Sequence, residues 1–310
     1  MKGGTIRPKT QNRPHNAVIE LTYGCNRRCR LCFRQVRHLK RGEYYFMNLE
    51  TAKKIADSLK VFDPMRLQFD YRGEPLLNPQ WRKIISLFRK TLPNSQIHLI
   101  TNGDFLDMNT AKQFFKIGGN ILSVDCYDGS FEKRAEYYKS NKVFRVHIDG
   151  ETDFKPYERH YPKTTHEMIL IPDNFEKNKK GLRQWNNLAG NLDFKSASKL
   201  GYEPLEKPLF RPCILPFKDL VIRYNGDIRL CCLDGENNAS IFGNIYNTDL
   251  EEFWYNNPRL NLIRTLLYNK LRIHPPCNKC DYGVGGVFSF IPKYKRIPEE
   301  KVEKLKEKYY

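Results

Sequence analysis

The sequence predicts an α/β fold: a parallel sheet closed wholly or partly into a barrel, then a smaller C-terminal unit built around a β-hairpin. Three observations predict it. Six β-branched, apolar runs between residues 17 and 171 alternate with stretches of helical period, the pattern of βαβ units. The pattern changes near residue 190, and a hairpin with an Asn-Gly turn follows. Finally, 310 residues with 40% hydrophobic and 13% aromatic content can fill a packed core, which excludes global disorder.

The elements follow in order. Residues 1–16 are basic and rich in Pro, Asn and Gly, and read as a loose arm. AVIELTYG (17–24) is the first strand. Asn48 caps a helix whose Ala52, Ile55, Ala56 and Leu59 share a face. RLQFDY (66–71) is the second strand. Asn78-Pro79 then opens a helix with Trp81, Ile84, Ile85 and Phe88 at helical spacing. QIHLI (96–100) is the third strand and stops at Thr101-Asn102-Gly103; a helix over 109–117 leads to the fourth, ILSVDCY (121–127). KVFRVHI (142–148) and HEMILI (166–171) supply the fifth and sixth. LVIRY-NG-DIRL (220–230) is the hairpin. From 293 the chain is Lys/Glu-rich, with Val302, Leu305 and Tyr309 on one face and a Glu300–Lys304 pair, which predicts a terminal helix. In such a sheet, ligands sit beyond the carboxyl ends of the strands.

Lys and Arg number 53 against 35 Asp and Glu, a net charge of +18, so a partner of acidic character is expected. No apolar run is long enough to span a bilayer and the first residues carry no apolar signal core, so a cytoplasmic protein without a membrane partner is expected. Nine cysteines in such a chain point to metal ligands or catalysts before disulfides. Three of them, Cys25, Cys29 and Cys32, lie within eight residues after the first strand. Three soft ligands on one loop suit three irons of a 4Fe–4S cluster, the fourth iron being open; a zinc knuckle is the alternative. Cys213, Cys231, Cys232, Cys277 and Cys280 form a second group, in which Cys277 and Cys280 are spaced for one metal or one cluster edge. Spacing alone leaves zinc and iron–sulfur open there.

The first motif resembles that of the radical S-adenosylmethionine (SAM) superfamily. Arg72-Gly73-Glu74-Pro75 matches its Gly-Gly-Glu motif, with Arg72 in place of the first Gly, and Asn102, Ser123 and Asp125 fall where family members contact SAM. The resemblance implies a partial (β/α)6 barrel in which Cys25, Cys29 and Cys32 hold the cluster and Gly73, Glu74, Asn102, Ser123 and Asp125 bind SAM. The second group resembles the twitch form of SPASM domains, which implies Cys213, Cys231, Cys277 and Cys280 as ligands of one auxiliary 4Fe–4S cluster. Trp185–Gly190 is similar to an Asn-Arg-Ala-Gly motif of these enzymes. Implied domains are the arm 1–16, a radical SAM core 17–190, an auxiliary domain 191–292 and the helix 293–310.

The implied function is an oxidoreductase that reductively cleaves SAM to a 5′-deoxyadenosyl radical and takes hydrogen from a substrate carbon. Net oxidation or cross-linking of a peptide, or of a sugar- or nucleotide-type molecule, would follow. A flavodoxin- or ferredoxin-type reductant is implied, and the charge favours an anionic substrate. The run Arg27, Arg28, Arg30, Arg34, Arg37, Lys40 and Arg41 reads as a docking or entry field around the first thiol loop. Nucleic acid is the less favoured partner, because no recognisable binding module accompanies that run. The alternative of another class is a non-enzymatic zinc protein that binds nucleic acid through its basic face. Cys126 and Cys232 are spare; Cys126 and His147 read as packed core residues.

Overall fold

The computed structural model describes residues 13–29, 32, 42–127, 129–154, 164–172, 212–234, 238–282 and 297–309. The strands are β1 (Asn16–Ile19), β2 (Thr22–Tyr23), β3 (Tyr45–Phe46), β4 (Arg66–Phe69), β5 (Gln96–Thr101), β6 (Ile121–Cys126), β7 (Arg145–Ile148), β8 (Glu167–Pro172), β9 (Asp219–Ile222), β10 (Asp227–Arg229) and β11 (Ile241–Asn244). Nine of them form one sheet in the order β11-β10-β9-β1-β4-β5-β6-β8-β7, and β2 and β3 pair separately as a short ribbon. From β9 to β7 every pairing is parallel, which confirms the α/β class.

Helices α1 (Leu49–Leu59), α2 (Trp81–Thr91), α3 (Met108–Lys116) and α4 (Phe131–Lys139) connect the strands. Asn48 caps α1, accepting from Thr51 N at 2.8 Å. Its buried face is Ala52, Ile55, Ala56 and Leu59, as the spacing predicts. The second helix begins at Trp81, because Asn78 is used differently. Its side-chain amide donates to the carbonyls of Leu21 and Met47, both at 2.9 Å, and its Oδ1 takes Gln80 N. Phe69 of β4 meets Phe88 of α2 edge-on at 5.1 Å, so sheet and helix share one core.

Three departures from the sequence reading matter for the site. The segment 17–24 is two strands with a break at Glu20. That fully buried carboxylate accepts from Arg223 Nε at 3.1 Å, which turns the chain out of the sheet. The fifth and sixth strands exchange places. Met168, Ile169 and Leu170 of β8 are buried and the strand takes the inner slot beside β6, whereas RVHI of β7 has no buried position and forms the edge. The C-terminal hairpin also departs from expectation, because it does not stand apart. β9 pairs in parallel with β1 across Asn16–Ile19, and β10 and β11 extend the same sheet. Its turn is as predicted, with Gly226 at φ +87° and a Cβ there 2.6 Å from Ile245.

The C-terminal segment adds helices α5 (Leu215–Lys218), α6 (Leu250–Asn256) and α7 (Pro258–Tyr268), of which the hydrophobic pattern gave no reading. Phe62, beyond α1, meets Trp254 and Tyr255 of α6 at 6.3 and 6.1 Å. A last helix, α8 (Glu299–Tyr309), has its Glu300–Lys304 pair at 2.8 Å. The expected stripe residues Leu305 and Tyr309, the arm before residue 13, and Trp185–Gly190 lie outside the described residues and side chains. Among the described residues no helix is long and apolar enough to cross a membrane.

Under the mouth of the barrel, His98 of β5 is fully buried with Nε2 2.8 Å from Ser123 Oγ. Burial pushes its pKa down to about 3. Because that value lies below the unfolded imidazole's 6.5, folding requires the neutral ring. The stability it supports is complete above pH 6.5 and is lost as pH falls towards 3. Burial pushes Asp70, Glu74 and Asp125 upward, which acts in the opposite sense. A His98→Gln variant therefore isolates the histidine. The stability gap between wild type and variant should close by about 1.4 kcal/mol per pH unit between pH 6 and 4. Urea unfolding at several pH values reads it, and a gap independent of pH would refute the assignment.

Candidate active site and thiol groups

The first thiol loop leaves the β2–β3 ribbon beside the carboxyl ends of β4, β5 and β6. Cys25, Cys29 and Cys32 are half-buried and unbridged. Cys32 N donates to the Cys29 carbonyl at 3.0 Å, closing the loop into a turn. Cys25 Sγ accepts from Arg27 N at 3.4 Å and from Asn102 Nδ2 at 3.5 Å, so the tip of β5 orients the first thiol. Burial, then the neighbouring Cys32 and Cys25, push the Cys29 thiol up to about 11, while Arg27 pulls it down. A thiol raised this far keeps its proton until a cation replaces it, the behaviour of a metal or cluster site.

Arg27 is expected at a docking face, yet it turns inward. Its Nε donates to Asp104 Oδ2 at 2.7 Å and its Nη2 pairs with Oδ1 of the same carboxylate. Asn26 Nδ2 donates to Asp104 at 2.6 Å, and Arg134 lies 3.6 Å away. The thiol loop is thus bolted to the loop after β5. Arg30, Arg34, Arg37, Lys40 and Arg41 lie outside the described residues.

Gly73 and Glu74 follow β4. A Cβ on Gly73 would stand 2.0 Å from the Thr22 carbonyl and 2.5 Å from that of Gly24. Only glycine permits that approach. Glu74 N donates to Gly24 O at 2.9 Å. The Glu74 carboxylate is buried and accepts from Leu76 N at 3.0 Å, Thr101 Oγ1 at 2.6 Å and Asn102 N at 2.8 Å. It ties the segment after β4 to the end of β5. Burial pushes it up to about 6.

Asn102 joins the two loops through Cys25 and, at 2.9 Å, Asn26. Ser123 is buried, with His98 on its hydroxyl. Asp125 is raised to about 7 by burial and by Asp70 and Glu74. Asp70, which sequence reasoning passed over, ends the strand before the Gly-Glu motif and is raised to about 6 by burial. Its signal was its position at a strand's carboxyl end. Cys126 is fully buried, as expected. His147 is held between Glu167 at 2.7 Å and Thr152 at 3.0 Å, so it is satisfied as the sequence suggested, but it lies half-buried on the edge strand β7 and not in the core.

In the second group, Cys213, Cys231, Cys277 and Cys280 line one small cavity with aliphatic walls, together with Arg272 and Tyr282. Cys232 is not in the lining. Burial, opposed by Arg272, pushes Cys213 up to about 12; burial and then Cys231 push Cys280 up to about 11. Cys277 is raised by burial and by the other three, and Cys231 by a bond to Cys232 and by burial. Arg272 is 2% exposed and donates to the carbonyls of Tyr282 at 2.8 Å, Pro212 at 3.4 Å and Cys280 at 3.4 Å. It pins the segments that carry Cys213 and Cys280 to each other. No sequence signal announced it. Among the described residues no three His, Cys, Asp or Glu side chains close to single-ion distances. A cluster asks less, since each iron takes a different thiolate and the thiols need only face one space.

Residues 19–171 match the model of the radical SAM superfamily, and residues 213–281 match that of SPASM, an iron–sulfur cluster-binding domain. A relative in Niallia circulans, S-adenosyl-L-methionine-dependent 2-deoxy-scyllo-inosamine dehydrogenase, is 23% identical over 77% of this chain and 81% of its own. An uncharacterised protein of Methanocaldococcus jannaschii is 31% identical over 41% of this chain, which spans only two fifths of that relative (40%). Among solved structures, BtrN in complex with AdoMet and 2-DOIA has a TM-score of 0.66 at 20% identity, covering 91% of this chain and 98% of its own. Native anSMEcpe with bound AdoMet has a TM-score of 0.50 at 15% identity, covering 87% and 92%. The two family models bring with them SAM, the cluster that binds it, auxiliary iron–sulfur binding and the need for a reductant. The chain belongs to the radical SAM superfamily, as an oxidoreductase with a C-terminal iron–sulfur domain of SPASM type.

Proposed function

We propose that this enzyme dehydrogenates a carbon bearing a hydroxyl in a small, polyhydroxylated substrate. One observation carries the reading: four thiols line one small cavity, and four thiolates would make a full ligand set that leaves no iron for substrate and suits an electron acceptor. The Niallia circulans relative, a dehydrogenase by name, supports it over most of both chains. When bound, SAM and its cluster supply a 5′-deoxyadenosyl radical on one-electron reduction.

The residues divide the work. Cys25, Cys29 and Cys32 hold the first cluster. The Gly73–Glu74 backbone, Asn102 and Asp125 orient SAM, and Ser123 supports Asp125 through the strand. Cys213, Cys231, Cys277 and Cys280 hold the auxiliary cluster, in a unit we place at 191–292 beyond a core at 17–190. Oxidation of the alcohol carbon releases one hydrogen atom, one electron and the hydroxyl proton. Asp70 and Asp125, raised to about 6 and about 7, are placed to take the proton near neutrality. Their like charges oppose a second anion in the mouth, so the hydroxylated part of the substrate is neutral there. The remaining basic surface is assigned to docking an acidic donor of flavodoxin or ferredoxin type.

Anaerobic purification should give a brown protein with iron and labile sulfide for two clusters. A colourless zinc protein without sulfide would sink the enzyme reading in favour of the nucleic-acid alternative. Cys29→Ala should abolish reductive formation of 5′-deoxyadenosine while the auxiliary iron stays bound, and retained cleavage would overturn the ligand assignment. Cys213→Ala or Cys280→Ala should halve the iron content and stop ketone formation. Iron content equal to wild type would refute the auxiliary set. A panel of polyols deuterated at the carbinol carbon identifies the substrate class by label transfer into 5′-deoxyadenosine.

A further inference from the structure

We infer that the buried Arg72–Asp234 ion pair couples the two thiol sites, so that assembly at Cys213, Cys231, Cys277 and Cys280 sets how tightly SAM is held beside Gly73 and Glu74. This rests on the ligand and SAM assignments proposed above. Asp234 closes the turn that begins at Cys231, its amide donating to the Cys231 carbonyl at 3.4 Å. Its position therefore depends on where that thiol sits. Asp234 Oδ2 accepts from Arg229 Nε of β10 at 3.0 Å. Its Oδ1 accepts from Arg72 Nη2 at 2.6 Å and from the Tyr71 hydroxyl at 2.5 Å, both at the end of β4. One carboxylate thus holds the hairpin and the barrel together.

The three charged side chains are 0 to 2% exposed, so water does not replace a lost partner. If the Cys231 turn moves, Asp234 moves with it, and Arg72 must either follow or remain as a buried charge without its carboxylate. Following is not free. Arg72 is bonded to Gly73, whose backbone lies against the Thr22 and Gly24 carbonyls too closely for any Cβ. Glu74 N holds Gly24 O, and Gly24 precedes Cys25. A continuous series of short contacts therefore joins Cys231 to Cys25 and passes through the backbone assigned to SAM. Arg72 stands where the family motif has glycine, a position at which no charge is needed for the turn itself.

The test measures SAM binding to anaerobically reconstituted, unreduced full-length protein by equilibrium dialysis, so turnover plays no part. Cys213→Ala and Asp234→Asn should each weaken SAM binding at least about fivefold, the low end of ordinary coupling between sites. The double variant should bind no more weakly than the weaker single, because both changes break one connection. SAM binding unchanged in Cys213→Ala, or losses that multiply in the double variant, would overturn the coupling. If Asp234→Asn does not fold, as judged by circular dichroism, Arg72→Gln takes its place under the same criteria. A wild-type protein that binds no SAM refutes the site assignment itself, an outcome distinct from a bound but uncoupled ligand.

Discussion

Strand β1 pairs in parallel with β4 on one side and with β9 on the other, through the same four residues, Asn16 to Ile19. The rest of the arrangement depends on that double pairing. The thiol loop leaves just beyond β1, the Gly-Glu motif leaves β4, and Arg223 and Tyr224 leave β9, all at carboxyl ends of neighbouring parallel strands. Their side chains interlock there: Arg223 on Glu20, and Tyr224 stacked on Tyr23 at 5.7 Å. A hairpin folded on a separate sheet would present its cysteines at no fixed distance from the first loop. One inserted beside β1 fixes both sites in a single rigid frame.

Burying Glu20, Arg72, Arg229 and Asp234 in that frame is costly, because charges leave water and regain only what good geometry returns. A row of apolar residues would hold the same two segments together at lower cost. What apolar residues do not supply is direction. Asp234 accepts from Arg72, Tyr71 and Arg229 at once, so the hairpin turn has one position relative to β4. Arg272 does the same within the auxiliary site, where three carbonyls from two segments converge on one guanidinium. Thiols offer no packing specificity before iron binds, and fixed cations supply it.

Much of this was legible in the sequence, for identifiable reasons. Strands buried on both faces announce themselves as apolar runs, and α1 and α2 show their buried faces at helical spacing. Cysteine spacing marked both thiol groups, and Asn225-Gly226 marked the hairpin turn. Less was legible where long-range pairing decides. The exchange of β7 and β8 follows from relative burial, which local pattern expresses only weakly. The attachment of β9 to β1 links residues about two hundred apart, with no local signature. Glu74 is an instance of a motif residue whose side chain has a structural task the motif does not announce: its carboxylate ties strand ends through Thr101 and Asn102. Asp234 and Arg272 carry no motif at all, since their partners come from distant segments.

The chain's charge is also distributed in a way its total conceals. The sum is +18, yet the barrel mouth holds Asp70, Glu74 and Asp125, all pushed upward by burial, and Asp125 further by the other two. Carboxylates kept this close repel one another and are costly to bury, unless a ligand of opposite sign completes the site. SAM, with a sulfonium and an ammonium group, is a ligand of that sign and would relieve the repulsion if it binds where the site is proposed. Arg27, the cation of the thiol loop nearest this acid group, is held by Asp104 at the rim. Among the described residues the interior therefore has the sign that suits a cationic ligand, opposite to that of the chain's total. A basic total and an acidic site are compatible because charges screened by water over a Debye length act on encounter, while the few inside the barrel act on binding.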